Sequence, residues 1–285
     1  MDRLLRSYFS DPGTHVFNRA HNYLTSGLEG YTRFFVPNGT TPRLVVEATP
    51  TYMYSALALR ELPKLPSRPH FVFMLREPVA QIRSLFRYFQ SNWTWIPAGT
   101  SFAQFIAEVR SGRVSFGGNE LAENAIANAE YAPFLSRWSK VAGDGRTHVF
   151  LFEDMLSDQT AFMRRFAEKF GIDPDFYSGY DFPAENQTYS VRSIMFQKLN
   201  VAVRSLIPRG VIYETTRSIY RTLNTRRDRQ EAPLDAMLEA SLRDRFRESN
   251  LRLGRQFGLN LQFWETAPLP RREQSKTGAL EHVSS

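Results

Sequence analysis

The chain predicts an α/β fold with a mostly parallel central sheet and helices on both faces, a three-layer arrangement. Three observations carry that expectation. Short apolar runs rich in aromatic and β-branched residues, "HFVFML" (70–75) and "THVFLFEDM" (147–155), read as strands. Stretches with helical periodicity follow each of them. Strands that alternate with helices in this way are joined by crossovers, which build parallel sheets.

Taken in order, "RLLRSYF" near the N-terminus reads as the tail of a helix that "DPG" breaks, and "THVF" (14–17) as a short β-like piece. "LVVEATPTY" (44–52) predicts a strand ending at Pro50. Residues 70–75 predict a strand buried on both faces, as parallel strands usually are. A helix is expected to begin at Pro78, because proline lacks the N–H that the first turn leaves unused. "SNWTWIPAGT" (91–100) reads as an aromatic loop, and "SFAQFIAEVR" as a helix capped by Ser101. Residues 119–143 are mostly helical in pattern. The strand over 147–155 is expected to end in Glu153-Asp154. "DQTAFMRRFAEKFG" predicts an amphipathic helix stopped by Gly171, and "IDPDFYSGYDFPAENQTYSVRS" a loop. "PLDAMLEASLRDRFRESNLRLGRQFG" predicts a long helix. One domain is expected over 1–265, with a polar tail over 266–285.

Composition narrows the chemistry. The 285 residues carry a formal net charge of +7, and arginine greatly outnumbers lysine. Arginine's planar fork suits phosphate and sulfate, although a GC-rich genome produces the same excess. With no cysteine, disulfides, thiolate zinc sites and a cysteine nucleophile are excluded. The five histidines are scattered, and no metal-ligand cluster is visible. Nothing approaches eighteen consecutive apolar residues, and the N-terminus lacks the apolar core of a secretory signal. A cytoplasmic protein is therefore expected, without a membrane span and without nucleic acid as partner.

In a parallel sheet ligands sit beyond the carboxyl ends of the strands. Arg76 stands where "HFVFML" runs out. On a helix from Pro78, Val79, Ile82, Leu85, Phe86 and Phe89 form one apolar stripe, and Ser84 falls on the far side with Arg87 and Tyr88. A strand-end arginine, a serine hydroxyl and a helix N-terminus can together receive a phosphate. The same residues also fit an arginine paired with Glu77 and an incidental surface serine.

"FVFMLREPVAQIRSLFRYF" resembles the signature of sulfotransferases that use 3′-phosphoadenosine-5′-phosphosulfate (PAPS): an apolar strand, Arg-x-Pro, then Ser eight residues after the Arg. "VVEATPTYMYS", "SFAQFI", "HVFLFEDM" and "LRDRFRESNLRLGRQFGLNLQFW" are similar to further segments of that family, so the resemblance runs from about residue 12 to 264. It implies a P-loop nucleotide-kinase-like sulfotransferase fold and PAPS as co-substrate, with no metal. It implies that Arg76 and Ser84 bind the 3′-phosphate, that Arg192 lies in a basic loop near the adenine, and that Tyr52 faces the acceptor. Arg192 fits a solvated loop arginine equally well.

The family also carries a Lys-x-Gly-Thr-Thr loop that holds the 5′-phosphosulfate. Here "PNGTTPR" (37–43) lacks the lysine and reads as a turn, and the first lysine is Lys64. The expectation is a chain that begins just downstream of the first strand and phosphate loop, an N-terminally truncated form of the fold. The glutamate base of carbohydrate-type members falls on Gly13; His15 and Glu47 are the substitutes. A packed strand histidine and a carboxylate paired with arginine are the alternatives for those two. The implied activity is sulfuryl transfer to a hydroxyl or amine acceptor, a carbohydrate or glycoconjugate; a non-catalytic nucleotide-binding member is the other reading. A nucleoside-phosphate kinase would need a Gly-Lys-Ser/Thr loop, which the sequence lacks.

Overall fold

The computed structural model describes residues 27, 44–93, 95–182, 190–191, 225–226 and 233–266. The expected β-like piece at 14–17, His15, the turn at 37–43, Arg192 and the tail beyond 266 lie outside the described residues. Strand β1 (Phe71–Leu75) is followed by helix α1 (Pro78–Tyr88), a π turn (Phe89–Trp93), α2 (Phe102–Ser111), two single-turn helices and α3 (Tyr131–Ala142). Then come β2 (Thr147–Leu151), α4 (Phe152–Ser157), α5 (Gln159–Lys169), the long α6 (Pro233–Phe257) and α7 (Phe263–Thr266). A short helix, Ala56–Glu61, precedes β1.

β1 and β2 pair in parallel, from Phe71 opposite Thr147 to Leu75 opposite Leu151. The helices between them form the crossover that parallel pairing requires. Together these are a mixed helical architecture around a parallel pair, compatible with the expected α/β class.

Local chemistry sets most helix ends. The Ser101 side chain accepts the Gln104 N–H at 3.1 Å, and Asp158 accepts that of Ala161 at 2.9 Å. Gly258, at φ +66°, closes α6 in a conformation that glycine adopts without a Cβ clash.

Two apolar clusters hold these elements. In the first, Phe71, Phe73 and Leu75 meet Leu135 and Trp138 of α3, Leu253 of α6, and Trp264. Trp138 lies against both phenylalanine rings, with centroids 4.8 and 5.5 Å away, and its indole N–H donates to the Met53 carbonyl at 3.0 Å. In the second, Val79, Ile82, Phe86 and Phe89 pack on Phe102, Phe105 and Ile106 of α2 and on Leu242 and Phe246 of α6. Helix α6 thus enters both clusters and ties the strand pair to α1.

Three expectations are corrected. Residues 44–49 carry no regular secondary structure and form no ladder among the described residues, and the chain turns at Pro50–Tyr54. Leu44, Val45 and Val46 are exposed, so the packing that would make them a buried strand is absent there. β1 is buried on one face only: Val72 is 40% and Met74 42% exposed, because the helices α3 and α6 cover only the alternate positions. The strand expected over 147–155 stops at Leu151, and Glu153 and Asp154 lie in the first turn of α4, where carboxylates favour the positive end of the helix. No described helix is long and apolar enough to cross a membrane.

At the opposite, N-terminal end of the strand pair, His70 Nδ1 and His148 Nε2 stand 2.8 Å apart with ring centroids at 5.1 Å. The rings therefore meet through their nitrogens, and one must donate while the other accepts. Phe170 closes edge-on over both. Burial, with added repulsion from Lys169 and His70, lowers the His148 pKa. The unfolded chain then binds this proton more readily, so stability must fall as pH drops through the unfolded value of 6.5 toward the folded one. Urea denaturation between pH 7.5 and 5.5 should show that loss, and His148→Gln should flatten it; an unchanged pH slope in the variant would refute the assignment. In the same assay Leu135→Ala, at a fully buried position, should cost about 2–5 kcal/mol.

Candidate functional site

The parallel register brings the two strand ends side by side. Leu75 and Leu151 are partners, so Arg76-Glu77 and Phe152-Glu153 emerge together. The Arg76 guanidinium lies over the Phe152 ring, 5.1 Å from its centroid. The Glu77 N–H donates to Glu153 Oε1 at 2.8 Å. The Tyr131 hydroxyl donates to the Arg76 carbonyl at 3.0 Å, and burial raises the Tyr131 pKa, which keeps that phenol a donor. The backbone at the strand end is thus pinned from two sides.

Glu77 does not pair with Arg76. Its carboxylate is 3% exposed and caps α1, accepting Val79 N–H at 3.1 Å and Ala80 N–H at 2.6 Å. Pro78 has no N–H to offer. The first-turn amides of α1 are therefore already occupied. This corrects the expectation that the helix N-terminus itself receives an anion: any anion here must be held by side chains. Burial raises the Glu77 pKa, against the pull of the Ala80 and Val79 amides and of Arg243, whose Nε is 3.6 Å from Glu77 Oε1.

Arg243 also donates to Glu239 Oε2 at 3.1 Å, and Arg83 Nε donates to Glu239 Oε1 at 2.6 Å. Arg83 lies over the Phe102 ring, 4.3 Å from its centroid, and its Nη1 is 3.6 Å from Asp235 Oδ2. This ladder docks α6 on α1 and commits Arg83 to the interface.

The Arg76 Nε is buried and has no hydrogen-bond acceptor among the described residues, as is also true of the Arg243 Nε and Arg146 Nη1, and Glu153 Oε2 is likewise unmatched. Burial lowers the Arg76 pKa, with Glu153 foremost among the charges opposing that and Arg87 adding to it. A half-buried guanidinium with an unmatched donor is costly unless an acceptor arrives. A phosphate oxygen is such an acceptor, so the residues present fit a phosphorylated ligand.

Ser84 is half-buried and stands on α1 away from the Val79–Ile82–Phe86 stripe, as its position predicts. Glu47 is also half-buried; the Thr49 hydroxyl donates to its Oε1 at 2.5 Å. Tyr52 is 7% exposed and belongs to the cluster containing Phe71 and Phe73. Trp95 packs on Phe89 with centroids 5.0 Å apart and lies against Gly117, where a Cβ would come within 3.3 Å of the indole. Among the described residues no group of three or more histidine, aspartate or glutamate side chains is placed to hold a metal ion.

The sequence reading named neither Tyr131 nor Arg243, and it weighed Glu77 only as a partner of Arg76 and Glu153 only as a strand end. The one available signal was position: Glu77 immediately precedes a proline at the first helical residue, where a cap belongs.

No family model matches the chain, and no curated protein does. Among solved structures it is similar to the crystal structure of a sulfotransferase from Alicyclobacillus acidocaldarius, with a TM-score of 0.55 and 18% identity over 84% of this chain and 74% of that one. The chain has a sulfotransferase-like fold. At this identity the likeness concerns the fold alone.

Removing the cap should loosen the strand end. Glu77→Ala should lower unfolding free energy by about 0.5–2 kcal/mol, read by urea denaturation, because two first-turn amides lose their acceptor. Glu77→Gln, which keeps an acceptor oxygen, should lose less; equal losses would argue against capping.

Proposed function

We propose that this protein is a sulfotransferase moving a sulfuryl group from PAPS to a hydroxyl or amine acceptor, a carbohydrate or glycoconjugate, in the cytoplasm. The observation that carries the reading is Arg76: a guanidinium at the carboxyl end of β1 whose buried Nε has no acceptor among the described residues. The Arg-x-Pro sequence and the serine eight residues on agree with it, as does a fold shared with a bacterial sulfotransferase.

In this reading Arg76 and Ser84 hold the 3′-phosphate of the donor, and Arg192 closes over its adenine end. Bound, the donor supplies an activated sulfuryl group, and adenosine 3′,5′-bisphosphate leaves as the acceptor attacks sulfur in line. The acceptor must lose a proton as its bond to sulfur forms, and Glu47, with His15 as the second candidate, is proposed to take it. The Thr49 hydroxyl on Glu47 Oε1 orients that carboxylate. Tyr52 is proposed to lie on the acceptor side. A parallel sheet with helices on both faces, of the nucleotide-kinase-like type, is the architecture this reading requires.

The test is transfer of labelled sulfate from PAPS to a panel of hydroxyl- and amine-bearing glycans. Labelled product is expected. Arg76→Ala should reduce kcat/KM at least about tenfold through the donor, because a charged hydrogen-bonded contact is lost. Glu47→Gln should reduce kcat with little change in donor binding. Donor binding without transfer to any acceptor would favour the non-catalytic reading, and no donor binding would overturn both.

A further inference from the structure

We infer that Glu153 sets the specificity of the Arg76 site by accepting a hydrogen bond from a hydroxyl on the carbon next to the one that carries the phosphate. In the donor proposed above that group is the ribose 2′-hydroxyl. This rests on the donor-binding role of Arg76 and adds a specificity-determining residue to it.

Glu153 and Arg76 are held at one strand edge by two direct contacts. Leu75 and Leu151 are register partners, so Arg76 and the Phe152-Glu153 pair leave the ladder side by side. Glu153 Oε1 accepts the Glu77 N–H at 2.8 Å, and that nitrogen is bonded to the Arg76 carbonyl carbon. The Arg76 guanidinium lies over the ring of Phe152, the residue before Glu153, 5.1 Å from its centroid. Both Arg76 and Glu153 are half-buried.

The Glu153 carboxylate is only half used. Its Oε2 is buried with no hydrogen-bond partner, the one carboxylate oxygen in that state among the described residues. The Arg76 Nε is a buried donor in the same state, so the two do not satisfy each other. The arginines of the neighbouring ladder are directed elsewhere: Arg243 to Glu239 and Glu77, Arg83 to Glu239 and Asp235. An unmatched acceptor and an unmatched donor thus stand at the same edge.

A phosphate alone answers only the donor. It also brings negative charge toward a carboxylate. A hydroxyl on the adjacent carbon answers the acceptor, and its O–H donates to Oε2 in a charge-assisted bond. A ribose 3′-phosphate with a free 2′-hydroxyl carries both groups on neighbouring carbons. A 2′-deoxyribose would leave Oε2 unpaired. Sites built to bond a hydroxyl discriminate strongly against the analogue that lacks it, because their own polar group is then left without a partner.

The experiment is calorimetric titration of adenosine 3′,5′-bisphosphate and of 2′-deoxyadenosine 3′,5′-bisphosphate into the full chain and its Glu153→Gln, Glu153→Asp and Arg76→Gln variants. Thermal melts of each variant check folding. The parent should bind the ribose ligand about tenfold or more tighter than the deoxy ligand. Glu153→Gln keeps an oxygen for the Glu77 N–H and puts an amide nitrogen in place of Oε2. Its preference should shrink to within about threefold, as a neutral amide replaces the charged acceptor. The ratio is the readout, since a purely structural role, or the loss of repulsion toward the phosphate, changes both affinities alike. Should Glu153→Gln fail to fold, Glu153→Asp carries the test, with the ratio falling several-fold as the carboxylate withdraws by one methylene.

Equal affinity of the parent for the two ligands would overturn this inference, as would a ratio that the Glu153 variants leave intact. In either case binding that is lost in Arg76→Gln leaves the donor-binding role standing. A parent chain that binds neither ligand, or an Arg76→Gln variant that binds as tightly as the parent, would remove the donor-binding role and this inference with it.

Discussion

The side-by-side ending of β1 and β2 is the constraint from which the site follows. Parallel pairing in the register Leu75–Leu151 delivers Arg76 next to Phe152 and the Glu77 amide next to Glu153. An antiparallel pair would send one of these ends to the other side of the molecule. The site is therefore made by topology: two chain segments 76 residues apart arrive at one edge because the helical crossover returns the chain to its starting side.

What keeps Arg76 available is the way its neighbours are committed. Glu77, the nearest carboxylate in sequence, spends both oxygens on the first turn of α1. Glu153 spends one on the Glu77 amide. Helix α6 answers Glu77 with Arg243 and draws Arg83 away with Glu239 and Asp235. Each contact is modest, but together they leave the Arg76 Nε without an acceptor among the described residues. Internal pairing of Arg76 would have produced a rigid strand end and no ligand site. An unmatched buried donor destabilises the empty protein somewhat and strengthens binding of whatever supplies the acceptor.

The same arrangement makes α6 more than a scaffold. It packs Leu253 into the cluster beneath β1 and Leu242 and Phe246 into the cluster beneath α1, and its charged positions reach the cap of α1. Helix α6 thereby meets the Arg76–Glu77 segment directly, through Arg243 beside the Glu77 carboxylate. Phe152 has a comparable double role: it begins α4, and its ring supports the Arg76 guanidinium at 5.1 Å.

Much of this was legible in the residues themselves. Apolar runs, caps and the Pro78 start placed β1, α1, α2, α5 and α6, because those elements are governed by local periodicity and end chemistry. Arg76 at a strand end, and Ser84 opposite the apolar stripe, followed from spacing alone. Residues 44–52 and 147–155 departed from expectation because a strand exists only where another strand supplies its hydrogen bonds, and pairing is a property of distant segments. Likewise, no local pattern reveals that Glu77 turns to its own helix, that Glu153 meets its amide, or that Arg83 faces α6. The sequence alone determined which groups stand at the end of β1; only the tertiary structure decided which of them are already bonded, since that depends on what the crossover and α6 bring within reach.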